Sequence, residues 1–136
     1  MSDRTKSRLP AARPRPDPQR RKALGAQGES LVAEALVARG FTIVETNLRS
    51  RWGEIDLIAR KGGLLWLVEV KTRRKLGPAG VEISRTQQQR LARMAYSWLA
   101  RQSNPPDVVV FTVVLVTFEG QTPTLTFFEH AFDSPF

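Results

Sequence analysis

No cysteine occurs in the chain, which excludes a disulfide framework and any thiolate zinc or iron–sulfur centre and suits a reducing, cytoplasmic setting. A single histidine, His130, leaves no second imidazole for a histidine-based metal pair, so it reads as structural or surface. Long apolar runs are missing too. The most apolar stretch, VVVFTVVLV over residues 108–116, has nine residues where a membrane-spanning helix needs about 20. It reads as a buried strand, and no membrane partner is expected. GxGxxG and Walker-type phosphate loops are absent, as is a serine nucleophile elbow, so ATP-driven chemistry is not supported.

Positive charge, by contrast, is in excess, with a formal net charge of +8 over 136 residues. Its distribution is uneven: residues 1–22 hold eight Lys or Arg against two Asp, leaving little net charge on the rest. With Pro10, Pro14, Pro16 and Pro18 this stretch has the composition of a disordered basic tail, without the apolar segment of a secretory signal. The organisation expected is therefore a tail at 1–22 and one domain at 23–136. A nucleic acid is a natural partner for such a tail, although many tails serve only solubility.

Hydrophobic periodicity orders the domain. Apolar residues at 31, 32, 35 and 36 form a helical stripe within Gly25–Arg39, and Gly40 is a natural stop. FTIVETNL, 41–48, is β-favouring. EIDLIAR and LLWLVEVKT flank Lys61-Gly62-Gly63, a tight hairpin signal that calls for positive φ angles. Ser84 and Gln87 have capping-box spacing ahead of a second helical stripe at 91, 94, 95, 98 and 99. After Asn104-Pro105-Pro106-Asp107, the Val108 run and TLTFFEH form a terminal hairpin through Gly120–Pro123. The order α-β-β-β-α-β-β predicts an α/β fold with a mixed central sheet flanked by helices, the Val108 strand running inside it.

The hairpin carries the chemistry. If Gly62 and Gly63 are its two loop residues, Asp56 faces Glu69 and Glu54 faces Lys71. Strand alternation then projects all four side chains to one side, with opposed Cβ atoms about 4.5–5.5 Å apart. Facing carboxylates repel, and a divalent cation offsets that repulsion. Two carboxylates with a backbone carbonyl suit magnesium or manganese, which leaves further positions to water and substrate phosphate. Lys71 is then placed to assist. The competing reading is a salt-bridged sheet face in which Glu54 simply pairs with Lys71.

GEIDLIA at 53–59, VEVKTR at 68–73, GAQGES at 25–30 and NLRSRWG at 47–53 together resemble the YraN-type family of small bacterial proteins. That resemblance extends to the restriction-endonuclease-like superfamily, with its Asp followed at a distance by Glu-x-Lys, and to archaeal Holliday junction resolvases. It implies Asp56 and Glu69 as metal-binding and catalytic acids, Lys71 as the catalytic lysine and Glu29 as a further acid near the metal. It also implies a Gln on the second helix (Gln87, Gln88 or Gln89) and a homodimer as one arrangement.

Arg49, Arg51, Arg73, Arg74 and Lys75 flank the acids and form a candidate rim for a phosphodiester backbone, with Trp52 as a candidate stacking platform. The function expected is a magnesium- or manganese-dependent endonuclease acting on DNA, including branched or structured forms. The alternative is a non-catalytic nucleic-acid-binding module that keeps the nuclease fold.

Overall fold

The computed structural model describes residues 18–74 and 82–129. Residues 1–17, most of the expected tail, lie outside them, as do Lys75 and His130. The elements are α1 (Pro18–Ala38), β1 (Thr42–Ser50), β2 (Gly53–Lys61), β3 (Leu64–Arg73), α2 (Arg85–Leu99), β4 (Val108–Glu119) and β5 (Thr122–Phe128). The five strands form one sheet in the order β1-β2-β3-β4-β5. Every neighbouring pair is antiparallel except β3 and β4, which the α2 crossover makes parallel. This is the mixed α/β architecture expected of the restriction-endonuclease-like fold. Among the described residues no helix is long and apolar enough to cross a membrane.

Two apolar clusters, one on each face of the sheet, make the core. Val32 and Leu36 of α1 pack with Leu57, Trp66, Val68, Val110 and Val114, and Phe41 tilts against Trp66 with ring centroids 4.8 Å apart. Leu91, Met94, Ala95 and Trp98 of α2 pack on the opposite face with Ile58, Leu65, Leu67 and Phe111. Because β4 lies between β3 and β5 with both faces covered, Val110–Phe118 is buried throughout. That explains its unbroken run of apolar residues and threonines.

The helix ends follow local chemistry. Gly40, at φ +93°, stops α1, and the Phe41 N–H reaches back to the Leu36 carbonyl at 3.0 Å in a Schellman closure. At the start of α2 the Ser84 hydroxyl accepts the Gln87 N–H at 3.1 Å, a cap worth about 1 kcal/mol. The start of α1 departs from expectation. It begins at Pro18 and takes in Pro18–Lys22, residues whose polar character pointed to tail. Proline is tolerated there because the first turn needs no N–H partner, and the polar turns show no apolar stripe from which a helix could be read.

The hairpin loop is Gly62-Gly63, as expected, with Lys61 facing Leu64. Only Gly62 takes a positive φ, +61°, the first-position pattern of a type II′ turn rather than two left-handed residues. Gly63 is needed for a different reason: a Cβ there would lie 2.3 Å from Asp107 Oδ2, where the chain leading into β4 crosses the turn.

Gly28 sets the distance between α1 and the sheet. A Cβ on it would lie 2.1 Å from Thr72 Oγ1 of β3, an atom that is itself buried without a hydrogen-bond partner. Overpacking costs about 1–3 kcal/mol, against a gain of about 1 kcal/mol for Ala over Gly within a helix. Gly28→Ala is therefore expected to lower the urea midpoint, and adding Thr72→Ala to restore most of it. A midpoint unchanged or raised in the single variant contradicts this close approach.

Candidate active site

The backbone ladder between β2 and β3 keeps its register from Lys61↔Leu64 to Leu57↔Val68 and then ends. At the next position Asp56 uses its side chain instead: Oδ2 accepts the Val70 N–H at 2.8 Å. Regular alternation also breaks here. Ile55 and Ile58 both face the α2-side cluster while Leu57 faces the α1 side. Asp56 is consequently turned into the gap between the strands and is only 6 % exposed.

Glu69 and Asp56 come within hydrogen-bonding reach of one another. Glu69 also borders a small hollow shared with Ile55, Ile83, Leu91 and Phe111, so its surroundings are largely apolar. Burial first, then the charge and hydrogen bond of Asp56, push the Glu69 carboxyl up to about 8. Burial likewise raises Asp56 above its ordinary value, while the Val70 N–H favours its carboxylate. Burial and mutual repulsion thus make the pair as a whole hold a proton more tightly than two free carboxylates would. Half-buried Lys71 is close enough to act electrostatically on both acids.

Glu29 reaches the same region from α1. Its carboxyl is raised by burial and by the charges of Asp56 and Glu54. Asn47 of β1 was not singled out from sequence, yet it ties this side together. With its amide nitrogen turned toward the acids it donates to Glu29 Oε1 at 3.1 Å and to Glu54 Oε2 at 3.2 Å. Thr46 and Leu48 pair with Leu57 and Ile55, so Asn47 faces Asp56 across the strands. It does so at φ +50°, a left-handed conformation that asparagine tolerates better than most residues. An asparagine inside a β-favouring run was the available signal.

The expected pairing of Glu54 with Lys71 is corrected by this geometry. Glu54 faces Arg49 across β1 and β2, and Arg49 Nε lies 3.0 Å from Glu54 Oε2. Because the β2–β3 ladder stops at Leu57, Glu54 has no opposed position on β3. The expected set of four side chains on one face reduces to Asp56, Glu69 and Lys71, with Glu54 held toward β1.

The other candidate residues separate by position. Arg51 lies over the Trp52 ring at 4.8 Å, and Trp52 is half-buried against the α2-side cluster. Arg73 and Arg74 are exposed at the end of β3, where Arg73 donates to the Thr72 carbonyl. Among the three glutamines, Gln88 donates to the Ile83 carbonyl and Gln89 is exposed, while Gln87 borders a groove that also contains Glu54.

Among the described residues no three His, Cys, Asp or Glu side chains cluster as a ready-made metal cage. Buried Asp56 and half-buried Glu69 nevertheless bring together two oxygen donors whose negative charge a cation could offset. A magnesium or manganese ion there would complete its shell with backbone carbonyl, water and phosphate oxygens, the usual habit of magnesium.

Fold and site together define a restriction-endonuclease-like protein, with an Asp and a Glu-x-Lys meeting where two strands of a mixed sheet part. The model of Uncharacterised protein family UPF0102, the YraN-type family, matches residues 28–116. A UPF0102 protein of Geobacter metallireducens is 38% identical over 114 residues, covering 82% of this chain and 93% of its own length. Those of Symbiobacterium thermophilum and Nocardia farcinica are 46% and 45% identical over 97 and 109 residues, covering 70% and 77% of this chain and 82% and 85% of their own. The chain belongs to the UPF0102 family.

The raised Glu69 has a consequence for stability without metal. Unfolded, this carboxyl loses its proton near 4.5; folded, it holds it to about 8. Between those values the native state binds the extra proton, so stability falls as pH rises through the window. Thermal melts in EDTA from pH 5 to 8.5 are expected to show this decline, and Glu69→Gln to make it shallower. An equal slope in the two proteins contradicts the assignment.

Proposed function

We propose that the protein is a divalent-metal-dependent endonuclease that hydrolyses phosphodiester bonds in DNA, including branched or structured forms. The observation that carries this reading is the pairing of buried Asp56 with half-buried Glu69, with Lys71 beside them. Asp56 and Glu69 would hold the magnesium or manganese ion. When bound, such an ion supplies charge neutralisation at phosphoryl oxygens and makes water more acidic.

The chain's own groups do the rest. The Val70 N–H fixes the orientation of Asp56 by donating to Oδ2 and leaves Oδ1 free of that bond. Lys71, a point charge on a flexible stem, orients the attacking water and stabilises charge on the phosphoryl group. Glu29, held by Asn47, contributes a further acceptor on the α1 side. Apolar neighbours around Glu69 keep bulk water out, which strengthens each of these interactions.

The test is cleavage of single-stranded, duplex, flap and four-way-junction DNA with manganese or magnesium and with EDTA. Metal-dependent nicking is expected, and Asp56→Asn or Lys71→Ala is expected to reduce it by at least about a hundredfold without loss of fold. Cleavage that persists in either purified variant contradicts the assignment. Metal-independent binding without cleavage would favour a non-catalytic nucleic-acid-binding module.

A further inference from the structure

Two hollows adjoin one another between α2 and the β1–β2 turn. One, of about 310 Å³, is bordered by Gly53, Glu54, Ser84, Gln87 and Arg90. The other, of about 350 Å³, is bordered by Arg49, Ser50, Arg51, Ser97 and Arg101. Trp52 and Met94 border both, so the two are neighbours along one side of α2. Leu91 borders both the first of these and the small hollow beside Glu69, which sets the groove next to the acid pair.

The charge of this groove is almost all of one sign. From Ser84 to Arg101 the chain has Arg85, Arg90, Arg93 and Arg101 and no acidic residue. Arg90, Met94 and Ser97 follow helical spacing on α2, and Arg101, just past the helix end, continues the lining of the groove. Both arginines are exposed, and neither belongs to the rim read from sequence. The opposite wall, at the β1–β2 turn, adds Arg49 and Arg51, with Arg51 over the Trp52 ring.

We infer that this groove carries one unpaired strand of the nucleic-acid substrate to the Asp56–Glu69 site, with Arg90 and Arg101 binding its phosphates. The inference rests on the proposed phosphodiester-cleaving site and narrows its substrate to DNA with a single-stranded segment. Charge complementarity selects a polyanion. Size selects a single strand, because each hollow has the volume of a small-ligand pocket and not that of a duplex. A basic channel interrupted by an aromatic ring is the general solution for holding a strand without reading its sequence.

Binding of fluorescent single-stranded and duplex oligonucleotides, followed by anisotropy in EDTA with the full chain, separates the possibilities. Arg90→Ala/Arg101→Ala is expected to weaken single-strand binding at least about tenfold and to reduce the salt slope by about 1.4, at 0.7 per phosphate contact. Duplex binding should change much less, and the control Arg39→Ala/Lys61→Ala, two exposed cations on the α1 face, should leave single-strand binding near that of the parent. Two results would overturn the groove assignment while leaving the proposed function standing: loss of single-strand binding in Arg73→Ala/Arg74→Ala with none in Arg90→Ala/Arg101→Ala, or equal loss for single strand and duplex. A parent protein that binds no nucleic acid under these conditions would overturn both readings.

Discussion

The hydrogen bond from the Val70 N–H to Asp56 Oδ2 is the constraint on which the site depends. It replaces a rung of the β2–β3 ladder by a side chain. A regular rung would leave Asp56 and Glu69 as an opposed pair on a flat sheet face, open to solvent and separable by rotation. With the rung replaced, Asp56 is drawn between the strands and Glu69 is left beside it in apolar surroundings. Two acids are thereby kept close at a depth where neither ionises freely. The arrangement is costly without a counter-charge, which is the physical ground for proposing a cation there.

The rest of the fold brings further groups to that point. The missing Cβ at Gly28 lets α1 approach β3, and one residue later Glu29 arrives near Asp56. Asn47 leaves the regular strand conformation to bind Glu29 and Glu54 together, and Arg49 draws Glu54 toward β1. Glu54 is thus kept from neutralising Lys71, which stays available to the acid pair. On the other face, α2 contributes its apolar side to the core and an arginine-lined side to the groove. Core and groove use adjacent faces of the same helix and share Met94 at their boundary, so Arg90 stays exposed beside a buried stripe.

Much of this was legible in sequence because the hairpin has few degrees of freedom. Gly62-Gly63 leaves a two-residue loop, a two-residue loop fixes the register, and the register brings Asp56 and Glu69 together. The element order, the interior position of the Val108 strand and the Ser84 cap follow from apolar patterning and local chemistry in the same direct way. Where sequence reading failed, a local irregularity had intervened. Assigning Glu54 to Lys71 assumed that alternation continued through Asp56, whereas the ladder ends one residue earlier. On β1, a register shift between Ile43 and Glu45 and the left-handed Asn47 set which residue meets Glu54. Such irregularities depend on contacts from α1 and β1 that no pattern within one strand reveals. The first turns of α1 were hidden because they are polar all round.

The central claim is that Asp56 and Glu69 form one cation site that is protonated when empty. Calorimetric titration with manganese at pH 7, repeated in buffers of different ionisation enthalpy, measures binding and proton release together. The account predicts one ion per chain, release of about one proton, and loss of both signals in Asp56→Asn. Absence of binding at millimolar metal, or binding that releases no proton and survives Asp56→Asn, would contradict it.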